Sequence, residues 1–302
     1  MTAERPTIRP VTLSRLVELT HLCEETGKTT DEVEKALNIT TRRARETILE
    51  AVRIGLLEES DADGEDYPVS YHTTPIGERF LKAIRDEDWT RVDEILSANS
   101  PHYSKLQEAL FEIGPAGTET LLAYFEDSLE ESPYSFNQTG IEVVGDWGER
   151  LGGIQRNAFT GDYYPVSRTD VPQDFPEVIL DVYDDLEETA GVNLRQRYLS
   201  IPRLRERTCE RLGCTREAFD RSLSRLCREN VGKLELSGAP LDTAAKDSTL
   251  GIKEIELSAG ESLVSTSQST RKVMAGLEQF DKQYYYFAVY DRDITFTHDS
   301  VQ

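Results

Sequence analysis

Residues 29–57 read TTDEVEKALNITTRRARETILEAVRIGLL, and the spacing within this run predicts two helices joined by a tight turn. Thr29 with Glu32 three residues on is a capping box, opening a short helix to about Leu37. Asn38-Ile39-Thr40 makes the turn, and a longer helix runs from Thr41 to about Ile54. Ala44, Ile48, Ala51 and Val52 form its buried stripe, while Arg42, Arg43 and Arg45 crowd its exposed first turns. Upstream, residues 12–26 place Leu13, Leu16, Val17, Leu19 and Thr20 on one helical face, and Gly27 stops that helix.

Downstream, Gly55-Leu56-Leu57-Glu58 begins a strand, the acidic tip Asp61 to Asp66 makes a loop, and Val69 to Thr73 returns. Thr74 then caps another helix with Pro75 at its first position. Three short helices in this order form a helix-turn-helix unit. With Gly55-Leu56-Leu57, the hairpin and the phrase Tyr71-His72-Thr73-Thr74-Pro75-Ile76-Gly77, residues 10–86 resemble the winged helix-turn-helix domains of prokaryotic transcription regulators. The resemblance implies that Thr41, Arg42, Arg43 and Arg45 stand at the end of the reading helix where base contacts are made. The chain departs from the family at the wing tip, which is acidic where a phosphate-touching wing carries Lys or Arg. That tip lacks the twelve-residue calcium loop and reads as a solvated loop.

A second unit of the same kind is expected near the other end. Residues 172–190 form a helix with Val178, Ile179, Val182, Tyr183 and Leu186 inward, and Arg197 to Ile201 is short and extended. Ser200 caps a helix, with Pro202 just inside, that runs to about Leu212. Gly213-Cys214 is the turn, and Thr215 caps a helix to about Asn230. Phe219, Leu223, Leu226 and Cys227 share one face of that last helix, and Arg221, Arg225 and Arg228 share another, with Arg216 in the first turn. Arg203, Arg205 and Arg207 on the preceding helix are phosphate candidates. Gly232 to Leu236 turns into a strand whose return is placed at Tyr284 to Tyr290, itself paired with Ile294–Thr297 across Asp291-Arg292-Asp293. This half also resembles a winged helix, with 237–283 as an enlarged wing.

Between the two, helices are expected at 88–97, 102–113 and 115–131, followed by a glycine- and aromatic-rich part from Pro133 to Pro165. The run Gly145-Asp146-Trp147-Gly148 to Gly153 is not a phosphate loop, since its spacing is not G-x-G-x-x-G and no Lys-Ser/Thr follows. It reads as tight helix contacts or turns. Trp147, Tyr163 and Tyr164 read as a plain aromatic core in preference to an effector pocket.

Charge narrows the function. The 302 residues carry a net charge of −22, with 25 Arg and only 9 Lys. Such acid-rich, lysine-poor composition resembles the proteins of salt-in halophilic archaea, whose surface carboxylates keep them hydrated when screening is nearly complete. Yet residues 194–233 hold eleven basic and five acidic side chains, a net +6. A basic island in so acidic a chain points to an anionic partner. The other reading of this island is a helix pair whose arginines are satisfied by neighbouring carboxylates.

No H-E-x-x-H, G-x-S-x-G or Walker loop occurs, and with 56 carboxylates chance pairs are too common to signify acid–base catalysis. Cys23, Cys209, Cys214 and Cys227 include no Cys-x-x-Cys pair and read as small buried apolar residues. No cofactor or metal site is expected. No window approaches a membrane span, and the opening residues lack the apolar centre of a secretory signal, so a cytoplasmic location is expected.

The expectation is a mainly α chain with small β-wings: a winged helix-turn-helix domain at 1–98, a helical linking region at 99–170, and a second winged domain at 171–302. It would bind double-stranded DNA without catalysis, most simply to regulate transcription. The alternatives are a DNA-binding or scaffolding subunit of a multi-protein assembly, such as an antiviral defence system, and a winged-helix protein-interaction module. A homodimer or protein partner would engage the middle region.

Overall fold

Three threonines open the first three helices. Thr12 caps α1 (Leu13–Leu22), Thr29 caps α2 (Thr30–Leu37) and Thr40 caps α3 (Thr41–Arg53), each hydroxyl accepting a main-chain N–H of the first turn. Both halves of the capping box form, with Thr29 N–H donating to Glu32 Oε2 at 2.8 Å and Glu32 N–H to Thr29 Oγ1 at 3.3 Å. Asn38, at φ 50°, supplies the left-handed residue that ends α2 and lets α3 begin. The computed structural model describes residues 6–60, 68–128, 133–189, 198–238, 255–256, 262–263, 273–280 and 282–297.

The buried face of α3 differs from the expected stripe at three positions. Ala44, Ile48 and Ala51 are buried, but Val52 is half-buried and Thr47 and Glu50 lie inside. Glu50 is admitted to the interior because Arg53 donates to one carboxylate oxygen and the main-chain N–H of Arg9 donates to the other at 3.2 Å.

The short β1 (Lys28–Thr29) leads into α2, and β2 (Leu57–Ser60) and β3 (Ser70–Thr73) follow α3. These three strands make one antiparallel sheet with β3 in the centre, where Tyr71 stands opposite Lys28 on one side and Glu59 on the other. The acidic wing tip at 61–66 lies outside the described residues. The Thr-Pro-x-Gly phrase has a structural cause. Thr74 Oγ1 donates to Gly55 O at 2.5 Å and accepts from Gly77 N–H at 3.1 Å, so one hydroxyl fastens the end of α3 to the start of α4 (Pro75–Arg85). A Cβ on Gly77 would sit 2.3 Å from Leu56 O, so only glycine allows this approach.

Four more helices follow: α5 (Trp89–Asn99), α6 (Pro101–Ile113), α7 (Thr118–Ser128) and α8 (Gln138–Leu151). The glycine-rich run is thus mostly helix, and its glycines are contact points; Gly140, Gly145 and Gly148 are all buried in α8. The chain then passes a short hairpin, β4 (Ile154–Arg156) and β5 (Tyr163–Pro165), at which one compact unit gives way to the next.

The second unit repeats an order already seen. Here α9 (Phe175–Thr189), β6 (Leu199–Ser200), α10 (Ile201–Leu212), α11 (Arg216–Glu229) and β7 (Leu234–Gly238) succeed one another. After them β8 (Ile255–Glu256) and β9 (Ser262–Leu263) pair with each other and group with the first unit, while β10 (Leu277–Gln279) and β11 (Lys282–Val289) complete the second. The expected return strand pairs with the 234–238 strand: Val289 faces Leu234 and Phe287 faces Leu236. Tyr286 faces Ser200 on the other edge, so β11 is central, as β3 is in the first unit. Residues 294–297 do not form the strand expected of them and instead run beside α11. Ser200 occupies the cap position of α10 but makes no capping hydrogen bond.

Both units therefore share the order helix, strand, helix, helix, strand and a later strand that stands in the middle of its sheet, the second unit adding β10 as a further strand before it. Their inter-helix turns also match residue for residue. Asn38-Ile39-Thr40 and Gly213-Cys214-Thr215 each consist of a left-handed residue, an apolar residue and a capping Thr. Left-handed Gly55 and Gly232 stand two residues before β2 and β7 respectively.

Contacts divide the chain into Met1–Gln155 with Lys253–Ser267, and Arg156–Ile252 with Gln268–Gln302. The stretch expected as a separate linking region at 99–170 is shared between these two, because its large side chains complete their cores. Trp147 is fully buried in the first unit with its indole N–H on Val11 O at 3.1 Å, and Tyr164 is fully buried in the core of the second. These aromatics are core residues. All four cysteines are buried. The described chain is mainly helical with small antiparallel sheets, and none of its helices is long and apolar enough to cross a membrane.

Candidate nucleic-acid interface

The arginines singled out by sequence lie on α3 in the first unit and on α10 and α11 in the second, and burial sorts them. On α3, Arg42, Arg43 and Arg45 are all exposed. Arg42 Nε and Arg43 Nη1 both reach Glu46, at 3.1 and 3.3 Å, with Arg42 almost fully in solvent. Exposed pairs of this kind contribute about 0–1 kcal/mol and yield readily to a stronger anion. Thr41 is exposed and donates to Glu34 at 2.6 Å.

In the second unit two of the predicted contacts are structural. Arg205 is buried against Asp220, with Nε to Oδ1 at 2.7 Å, and its Nη1 donates to the carbonyls of Val273 at 2.9 Å and Ala275 at 3.1 Å. Arg216 is also buried, with Nε and Nη2 donating to the two oxygens of Glu206 at 2.6 and 2.7 Å and Nη2 to Arg156 O at 2.9 Å. Neither guanidinium can reach a phosphate or a base without leaving its carboxylate. They fold inward because the second unit uses α10 to hold passing chain segments. Glu206 also accepts from Ala158 N–H at 2.8 Å, and Glu210 from Asn157 at 2.8 Å.

Electrostatics follow from this burial. Burial works against the Arg216 charge, but Glu206 outweighs it and raises the Arg216 pKa. Burial pushes the Asp220 carboxyl up despite the pull of Arg205, and it raises Glu50 in the first unit in the same way.

The remaining predicted arginines are at the surface. Arg203 lies 4.8 Å over the Phe159 ring, and Arg207 pairs with Glu210 at 3.0 Å. Arg221 and Arg228 on α11 are exposed and Arg225 is half-buried. Arg221 donates to Thr169 O and Arg225 to Thr297 O, each at 2.9 Å, so both keep a main-chain oxygen as partner. The segment 294–297 is strapped along the C-terminal half of α11. Asn230 exchanges hydrogen bonds with Thr295, Thr297 N–H donates to Glu229 at 2.8 Å, and the Phe296 ring packs 5.6 Å from Phe175.

The arginines are therefore most exposed on α3, whereas the basic island read from the sequence lies over α10 and α11. Sequence reasoning also passed over Leu49, which is 47% exposed on the arginine side of α3. Its position three and four residues beyond Glu46 and Arg45 was the available signal. Comparisons with protein-family models, curated proteins and solved structures found no match for this chain.

Proposed function

We propose that the chain binds double-stranded DNA through two winged helix-turn-helix modules and regulates transcription without catalysis. The acid-rich, lysine-poor composition fits this activity to the salt-laden cytoplasm of a halophilic archaeon. One observation carries the reading: the succession helix, strand, helix, helix, strand and central strand, and the pattern of left-handed residue, apolar residue and capping Thr between the two helices, occur twice, and each time the following helix exposes arginines. A helix so placed and so charged suits the major groove, where Arg is bidentate to guanine. At molar salt the phosphate contribution is weak, so base contacts from several modules must supply the affinity.

Duplex binding by the intact chain at ~2 M KCl tests this, beside variants with Arg42 and Arg45, or Arg221 and Arg228, changed to Ala. Each pair of substitutions is expected to weaken binding at least tenfold, from about 1–3 kcal/mol per lost base contact. A wild-type chain that binds no duplex, at this or lower salt, overturns the proposal. A protein-interaction module is the second reading, favoured by the pairing of Arg205, Arg207, Arg211 and Arg216 with carboxylates of the same unit.

A further inference from the structure

We infer that α3 reads a guanine and a thymine close together, Arg45 donating to the guanine edge and Leu49 packing on the thymine methyl group. This rests on the DNA-binding reading above and gives it a base preference.

Arg42, Arg45 and Leu49 are spaced three and four residues apart, so they share one face of the helix. All three are exposed. Leu49 is not needed by the core, which Ala44, Thr47, Ile48 and Ala51 complete without it. Nor does the fold require an apolar residue there. With Thr40 and Thr215 aligned as the caps, the residue of α11 corresponding to Leu49 is Ser224, and the one corresponding to Arg45 is Asp220, which is tied to Arg205. A face meant only for phosphates gains nothing from leucine. Among the base edges of the major groove the thymine methyl is the apolar group, and burying Leu49 against it removes both from water.

The spacing limits the pair of bases. Four residues of helix rise about 6 Å, and stacked bases follow one another at about 3.4 Å per strand. With α3 along the groove, Arg45 and Leu49 address positions no more than about two steps apart. Glu46 engages Arg42 and Arg43 and leaves Arg45 outside that ion-pair cluster. Because the corresponding positions of α11 are Asp220 and Ser224, the two helices of one chain read different sequences.

The experiment starts from duplexes selected out of a random pool by the intact chain. Each dT of the selected site is then replaced by dU, which removes the methyl group alone, and each dG by 7-deaza-dG, which removes the N7 acceptor. Wild type is expected to lose about fourfold in affinity at one dT, the worth of one apolar carbon returned to water. The Leu49→Ala variant, whose helix content should match wild type and whose thermal midpoint should fall only slightly because the side chain is half in solvent, is expected to bind dT and dU equally there. Arg45→Ala should lose its response to 7-deaza-dG within two steps of that position. Duplex binding in which wild type ignores every dU, or in which Leu49→Ala still senses the same dU, overturns this inference and leaves the DNA-binding proposal standing. Absence of binding to any duplex overturns both.

Discussion

Changing Glu206 to Gln removes one charge from the interior of the second unit with almost no change of shape. Glu206 is 1% exposed and accepts from Arg216 Nε, Arg216 Nη2 and Ala158 N–H, all at 2.6 to 2.8 Å. In the variant the amide nitrogen must face a donor, and the Arg216 guanidinium, 9% exposed, stays buried without its anion. Two charge-assisted hydrogen bonds at about 1.5–3 kcal/mol each give roughly 3–6 kcal/mol. Breaking a buried pair from one side costs about 3–5 kcal/mol by direct experience of such pairs, so the two routes agree near 4. At roughly 3–5 °C per kcal/mol for a unit of this size, calorimetry should show the midpoint fall by about 10–20 °C. Replacing both residues, Glu206→Met with Arg216→Met, should restore most of that loss, because the penalty belongs to the orphaned charge. Arg221→Ala, on the exposed side of α11, should move the midpoint by no more than about 2 °C. A Glu206→Gln midpoint within about 3 °C of wild type would refute the buried network as a determinant of this unit.

Two further tests concern the first unit. Burial pulls the His102 imidazole down to about 4 from its usual 6.5, with the nearby Arg53 charge acting in the same direction; its Nε2 donates to Pro6 O and Ser135 O. Its folded value lies below its unfolded one, so its contribution is complete above about pH 6.5 and is lost as pH falls toward 4. Between those limits wild type should lose about 3 kcal/mol more than His102→Gln in urea titrations, and parallel profiles would refute it. Gly77→Ala should lower stability by about 1–2 kcal/mol, because a Cβ 2.3 Å from Leu56 O outweighs the roughly 1 kcal/mol gain in helix propensity. An unchanged denaturation midpoint would show that α4 can shift away from that carbonyl.

Local signals made the frame legible. Caps and turns act over three or four residues, so Thr29 with Glu32, Asn38 before Thr40 and Gly213 before Thr215 announced the helices and their junctions in the sequence itself. The 3.6-residue period gave the buried faces of α3, α9 and α11, and the strand at 284–290 was placed against its true partner. The candidate site was less legible, since periodicity shows which face a side chain occupies and not what comes to cover that face. Arg205 and Arg216 look like Arg221 in sequence, but segments 156–158 and 273–276 arrive from far along the chain to bury the first two.

By itself, then, the sequence determined what short-range chemistry controls: where helices start, which turns are tight, and which stripes are apolar. Tertiary structure alone decided which charges stay in water. Desolvating a guanidinium costs several kcal/mol unless a carboxylate and further acceptors surround it, and those partners are brought together only when distant segments pack. For this reason Leu49 and Arg45 emerge at the surface of α3 while Arg205 and Arg216 vanish into the second unit, although nothing within a few residues of either pair distinguishes them.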